Sequence, residues 1–175
     1  NILNAMAKLD CKDNTTIQFM LHQAQQKVTK FNAQAIANTL NAMAKLDYKD
    51  DVLMPCLLNE ATQKSTDFNA QGIANTLNTM AKLDYKDDVL MQCLLNEAKQ
   101  KSSDFNSQNI ANTLNAMAKL DYKDDVVMRC LLNEAKQKKT DLSAQNIANT
   151  LNAMAKLDYK DDVVMRCLLN EAKQK

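Results

Sequence analysis

The sequence predicts an all-α fold, an α-solenoid of stacked helix–turn–helix units with a period of 37 residues. The segment that begins "FNAQAIANTLNAMAKL" at Phe31 returns with few changes at Phe68, Phe105 and Leu142. Such fixed-period self-similarity is the signature of a repeat architecture. One glycine and one proline in 175 residues leave too few tight turns for a β or α/β fold. Hydrophobic residues make up 46% of the chain, which is enough for a continuous core.

The repeats divide the chain into five parts of one solenoid domain, residues 1–175. Residues 31–67, 68–104 and 105–141 are complete units, residues 1–30 match the last 30 positions of a unit, and residues 142–175 are nearly complete. We expect the chain to be a fragment of a longer array. Neither helix of a unit can bury its apolar stripe alone, so neighbouring units must stack.

Each unit is predicted to contain two helices joined by a polar turn. The first helix follows an N-cap residue (Asn32, Asn69, Asn106 or Ser143) and runs to about Leu46 in the first complete unit. Asp50 or Asp51 caps the second helix, which tolerates Pro55 because proline falls near its first turn. The segment "KSTD" and its equivalents form the return turn.

A helical wheel of the first helix separates an apolar face from a narrow polar stripe. The core side carries Ile36, Ala37, Leu40, Met43 and Ala44. Gln34, Asn38, Asn41 and Lys45 cluster within about 60° on the other side. Two positions that vary between units are predicted beside this stripe, one occupied by Ala35, Gly72, Asn109 and Asn146, the other by Ala42, Thr79, Ala116 and Ala153.

The two asparagines of each stripe favour a nucleic-acid interpretation, because asparagine is a poorer helix former than Glu, Lys, Gln or Arg. Asn and Gln offer donors and acceptors suited to base edges, and one lysine per unit supplies contacts for phosphates. A solenoid can present one unstacked base of single-stranded RNA to each repeat. The candidate RNA-binding residues are Gln34, Asn38, Asn41, Lys45, Gln71, Asn75, Asn78, Lys82, Gln108, Asn109, Asn112, Asn115, Lys119, Gln145, Asn146, Asn149, Asn152 and Lys156.

Alternative interpretations of the stripe remain open. The Asn38 series could form a hydrogen-bonded ladder to neighbouring units, and the lysines could belong to an ordinary solvated face. Repeat arrays also serve as protein-binding scaffolds or as structural spacers. The stripe lacks the large side chains that dominate protein hot spots, which favours RNA.

The variable position at Asn109 and Asn146 is the candidate for base discrimination. Alanine and glycine, at the equivalent positions 35 and 72, offer no side-chain hydrogen bond, whereas asparagine can make two to a base edge. The competing interpretation is that these asparagines support the N-cap residues Asn106 and Ser143, three residues earlier.

A 37-residue helix–turn–helix unit with "FNAQAIANTLNAMAKL" in its first helix resembles the octotricopeptide repeat family and the related heptatricopeptide class. The "IANTL.A.AKL" segment is the hallmark, and the resemblance covers the whole chain. It implies single-stranded RNA binding in the processing, stability or translation of organellar transcripts, in a mitochondrion or chloroplast. Related arrays also occur in bacteria, where they can serve as effectors. The chain departs from the octotricopeptide pattern in lacking tryptophan.

Nothing in the sequence indicates an enzyme. The single histidine, His22, has no identifiable partner set, and a single glycine, Gly72, rules out a Gly-rich phosphate loop. We therefore predict no catalytic residue, no metal, no cofactor and no small-molecule substrate. The tyrosine series is predicted to pack at the inter-helix corner (Tyr48, Tyr85, Tyr122 and Tyr159).

The cysteines indicate a reducing, intracellular environment. Cys56, Cys93, Cys130 and Cys167 stand one per unit, without a close pair, and Cys11 precedes them. This spacing predicts free, buried thiols rather than a disulfide framework or zinc site. No apolar run reaches the roughly 18 residues needed to cross a membrane.

Overall fold

The computed structural model describes residues 2–9 and 13–175. Within these ranges the chain forms α-helices and short 3-10 turns, without a strand, which confirms the predicted fold class. The helices are α1 (Ile2–Lys8), α2 (Asn14–Lys27), α3 (Ala33–Lys45), α4 (Leu53–Gln63), α5 (Ala70–Lys82), α6 (Asp88–Gln100), α7 (Ser107–Lys119), α8 (Asp125–Gln137), α9 (Ala144–Lys156) and α10 (Asp162–Ala172). The 3-10 turns that join successive units are Val28–Lys30, Ser65–Asp67, Ser102–Asp104 and Lys139–Asp141.

The helices form two layers. Each odd-numbered helix packs on the next odd-numbered helix, each even-numbered helix packs on the next even-numbered one, and the two helices of a unit pack together. Neighbouring helices approach more closely in the odd-numbered layer. The array therefore curves so that the first helices of the units line its inner side.

The predicted N-caps of the first helices are confirmed. The Asn32 side chain accepts a hydrogen bond from the Ala35 amide at 2.8 Å, and Asn69 and Asn106 make the equivalent contacts at 2.8 Å. Ser143 Oγ accepts from the Asn146 amide at 3.1 Å. These contacts satisfy amide groups that a helix start leaves without partners. The α3 helix ends at Lys45, with Leu46 as its C-cap.

Asp50, rather than Asp51, caps the second helix of the first complete unit. Asp50 Oδ1 accepts from the amides of Val52 at 3.0 Å and Leu53 at 2.7 Å. The α4 helix begins at Leu53, whereas α6, α8 and α10 begin at the position equivalent to Asp51. Pro55 explains the difference, because it has no amide hydrogen for the Asp51 carbonyl and its ring crowds that group.

The leucine series on the first helices forms the centre of the core. Leu40, Leu77 and Leu114 have no exposed surface, as predicted. Leu151, the equivalent in α9, is only half-buried, because among the described helices none packs against the side of α9 that the earlier first helices turn toward the next unit. Burial of this series therefore depends on the following unit as well as on the partner helix.

The last unit shows which flank of a first helix faces which neighbour. Ala144, Ala148 and Ala155 are exposed in α9, whereas Ala33, Ala37 and Ala44, their equivalents in α3, are buried. This alanine flank therefore packs against the following unit. The opposite flank, which carries Thr39 and Ala42 in α3, packs against the preceding unit.

The cysteine series lies at half-buried positions. Cys56, Cys93, Cys130 and Cys167 are free, as predicted, but they are partly exposed rather than fully buried. The prediction for Cys11 falls outside the described residues. Across the part of the chain that the structure describes, none of the helices has the length and apolar character needed to cross a membrane.

Candidate nucleic-acid interface

The polar stripes of successive first helices meet in one groove on the inner layer. The groove has a volume of about 510 Å³ and crosses four units, from α1 to α7. Half of the predicted RNA-binding residues line it: Gln34, Asn38, Asn41, Lys45, Gln71, Asn75, Asn78, Gln108 and Asn112. The structure thus brings together side chains that lie up to 78 residues apart in the sequence.

The stripe is narrow because both flanks of each first helix are packed. Its glutamines and lysines are exposed, and the asparagines between them are half-buried, apart from the exposed Asn152 of the last unit. Small residues on both flanks let neighbouring helices approach closely, so only the stripe is left on the inner surface that carries the groove. The groove consequently presents amides with few apolar side chains between them.

An amide–amide hydrogen bond within the stripe orients one of its asparagines. Gln145 Nε2 donates to Asn149 Oδ1 at 2.9 Å, between residues one helical turn apart. The Asn149 amide nitrogen then keeps its donors for another partner.

The lysine series is not uniform. Lys82 donates to the backbone carbonyl of Ala44 in the preceding unit. Lys45, Lys119 and Lys156 are exposed and have no hydrogen bond or ion pair to other described residues. A phosphate would therefore meet an available ammonium group at these three positions, while Lys82 already has a backbone partner.

The remaining predicted residues lie outside this groove: Lys82, Asn109, Asn115, Lys119, Gln145, Asn146, Asn149, Asn152 and Lys156. Asn109 is buried, with 8% of its surface exposed, on the flank that faces the preceding unit. Asn146 forms a capping box with Ser143, its Oδ1 accepting from the Ser143 amide at 3.2 Å. The contacts of Asn146 thus agree with the N-cap interpretation of this position.

The second variable position, which the wheel places beside the stripe, is also covered. Ala42, Ala116 and Ala153 have no exposed surface, and Thr79 is 1% exposed. The wheel placed these residues beside the stripe correctly, but it could not show that the preceding unit covers them.

A lysine at the end of each second helix joins adjacent units, a contact that sequence spacing did not predict. Lys101 Nζ donates to the carbonyls of Thr66 at 2.7 Å and Phe68 at 2.9 Å, and pairs with Glu97 at 2.9 Å. Lys64 and Lys138 make the equivalent contacts. The signal in the sequence was a glutamate four residues before a lysine at the end of every unit from residue 31 onward, beside the return turn.

The tyrosines pack at the inter-helix corner, as predicted. Burial raises the pKa of Tyr122, and the carboxylates of Asp124 and Asp88 raise it further. Lys49 Nζ lies 5.6 Å from the ring centroid of Tyr85 in the next unit, a cation–π distance. The Lys49–Tyr85 contact therefore joins two adjacent units.

The groove offers hydrogen bonds rather than reactive groups. Among the described residues, its lining holds one carboxylate, Asp67, and no histidine or cysteine. His22 lies elsewhere, exposed on α2, with its Nε2 2.9 Å from Gln26 Nε2. An amide-lined groove of this kind can bind an extended polar ligand, and its lining suits contacts with base edges better than with apolar side chains.

A stack of helical hairpins with a groove along one layer defines a helical-repeat protein of the α-solenoid class. The sequence profile of the RNA-editing substrate-binding complex 6 protein (RESC6) family matches residues 1–175, and the chain belongs to this family. A comparison with curated proteins finds no match.

Proposed function

We propose that the inner groove binds single-stranded RNA and that the chain serves as an RNA-binding module of an RNA-editing substrate-binding complex, without catalysis of its own. The observation that carries the proposal is the continuous amide-lined groove across four units. The family name supports the same ligand class, because it refers to the substrate of RNA editing.

Single-stranded RNA fits the groove better than a duplex does. A duplex is bound chiefly through its phosphates and 2′-hydroxyl groups, whereas single strands can turn their bases toward a protein surface. The chain has 22 basic and 21 acidic residues, so its net charge of +1 does not favour phosphate-dominated binding. Amide contacts to bases must then supply much of the affinity.

The resemblance to octotricopeptide repeats adds finer features to the proposal. Each unit would meet one nucleotide, and the bound RNAs would be organellar transcripts whose processing, stability or translation is controlled. The repeat spacing of the stripe is consistent with one nucleotide per unit, since every first helix presents one set of amides.

The proposal is tested by filter binding of the chain to a random single-stranded RNA library at low and at physiological salt. The double variant Asn75→Ala/Asn112→Ala removes two groove amides, and we expect it to weaken binding at least about tenfold. Both substitutions raise helix propensity, so the variant should remain folded.

Asn96→Ala/Asn133→Ala is the matched control, because these exposed asparagines lie on second helices of the same two units. It should bind RNA as the unchanged chain does. An equal loss of RNA affinity in both variants would show that the RNA-binding site does not lie in the groove. Absence of RNA binding at low salt would overturn the proposal and favour a protein-binding scaffold.

A further inference from the structure

The residue types of the polar stripe are the same in every unit from residue 31 onward. The four first helices present the same stripe, Gln–Asn–Asn–Lys, at positions 34, 38, 41 and 45 and at their equivalents. This identity has a physical consequence whatever its origin, because a ligand meets the same donors and acceptors in each unit.

The backbone repeats as regularly as the sequence. Helices α3, α5, α7 and α9 are all 13 residues long and begin 37 residues apart. The aspartates that end them have φ values of 52°, 49°, 50° and 46°. The four stripes are therefore presented in nearly the same geometry.

Most of the residues that differ between units are covered by a neighbouring unit or held at a helix end. Asn146 lines a small cavity with Gln108, but its side chain is engaged by Ser143 in a capping box. Asn109 is 8% exposed and Thr79 is 1% exposed. Gly72 reaches the groove, but a Cβ there would meet the Phe68 ring at 3.1 Å and Asn69 Oδ1 at 3.3 Å. A side chain at this position would therefore crowd the residues just before α5. A further variable series, Pro55, Gln92, Arg129 and Arg166, lies on the second helices.

We infer that the RNA that fits this groove is a run of one nucleotide rather than a mixed sequence, an inference that rests on the proposed function. Repeat proteins distinguish bases through side chains that differ from one repeat to the next. Here the side chains that face the ligand do not differ, so each unit prefers the same base.

The amides provide a preference for one base and not only contacts with the sugar–phosphate backbone of the RNA. An amide held in one orientation offers its donor and acceptor at fixed positions. The stripe of α9, which lies beyond the groove, shows that the Gln and Asn of one stripe can hold each other in this way, with Gln145 Nε2 2.9 Å from Asn149 Oδ1. A fixed donor–acceptor pair matches one base edge better than the others. Equal preferences in the units that line the groove, α3, α5 and α7, multiply along a homopolymeric run.

The test is a competition by fluorescence anisotropy among oligo(A), oligo(U), oligo(C) and a mixed sequence, each of about ten nucleotides, twice the footprint expected at one base per unit. One homopolymer should bind at least about tenfold more tightly than the mixed sequence. The same homopolymer should also dominate a selection from random RNA.

Asn75→Ala should reduce the advantage of the preferred homopolymer, and Asn96→Ala, on the outer helix of the same unit, should leave it unchanged. Equal affinity for all homopolymers, or selection of a mixed motif, would overturn this inference while leaving RNA binding intact. Failure of every RNA to bind would instead remove the proposed function itself.

Discussion

At the scale of single residues, the least expected feature is the aspartate that ends each first helix. Asp47, Asp84, Asp121 and Asp158 all adopt positive φ, between 46° and 52°, where glycine is the usual residue. The amide of the following tyrosine donates back into the helix, as in Tyr85 to the Met80 carbonyl at 2.9 Å. This bond closes the helix end and holds the aspartate in a conformation that costs an L-residue energy.

Asp84→Gly should therefore raise the free energy of unfolding by about 0.5–1 kcal/mol. The strain of an L-residue at positive φ is removed, and this gain exceeds the extra conformational entropy that glycine loses on folding. The midpoint of urea unfolding measures the change. Asp88→Gly, in the first turn of α6, should lower stability by about 0.5–1 kcal/mol. A loss of stability in Asp84→Gly would show that the aspartate side chain makes a stabilising contact.

The buried leucines also give a prediction at this scale. Leu77 has no exposed surface, so Leu77→Ala should cost about 2–5 kcal/mol through lost burial and a cavity. Leu151→Ala is the matched comparison and should cost less, because Leu151 is half-buried. Equal costs in urea unfolding would contradict the stacking of units as the source of burial.

At the scale of elements, each unit is tied to the one before it by the lysine that follows its second helix. Lys101 contacts two carbonyl groups at the return turn that precedes its own unit, those of Thr66 and Phe68, and a glutamate of its own helix. The Glu97 side chain is 12% exposed, so it depends on this partner. Thr66 belongs to the preceding unit and Phe68 begins the unit of Lys101, so this side chain joins the two units at the return turn.

Lys101→Met should destabilise the array by about 2 kcal/mol, because two carbonyls lose a charged donor and Glu97 loses its counter-charge. Lys99→Met, an exposed position on the same helix, is the control and should change stability by less than about 0.5 kcal/mol. Thermal unfolding compares the two variants. If the two variants have the same melting temperature, the contacts of Lys101 contribute no more to stability than an exposed lysine does.

At the scale of the whole molecule, the amide stripes mark the inner layer of the array. The inner layer carries the amide stripes with one lysine per unit, and its groove spans four units. The charge of the chain is nearly balanced, at +1. Any contribution of the lysines to RNA binding should therefore come from contacts of individual lysines with phosphates rather than from attraction by the net charge of the chain.

Lys45→Gln/Lys119→Gln should weaken all RNAs alike and reduce the slope of log affinity against log salt by roughly 1.4, or 0.7 for each phosphate contact of a single strand. Lys99→Gln/Lys136→Gln removes the same charge from exposed positions on the second helices and should leave the slope unchanged. An unaltered slope in the first variant would exclude these lysines from the RNA site.

The helices, their caps and the repeat could all be predicted from local patterns in the sequence. Period, N-cap residues and apolar spacing are local properties, so the caps Asn32, Asn69 and Asn106 follow from residue type and position alone. The composition of the stripe followed as well, because a helical wheel needs only sequence spacing. The wheel likewise placed Leu40, Leu77 and Leu114 in the core.

Which neighbours of the stripe reach the ligand side depends instead on how the units pack. Thr79 and Asn109 lie at the stripe's edge on a wheel, yet the preceding unit covers both. The contacts of Lys101 span 33 and 35 residues, and those of Lys82 span 38, so no local pattern shows them. The physical reason is that a wheel describes an isolated helix, whereas exposure in a solenoid depends on how closely adjacent units stack.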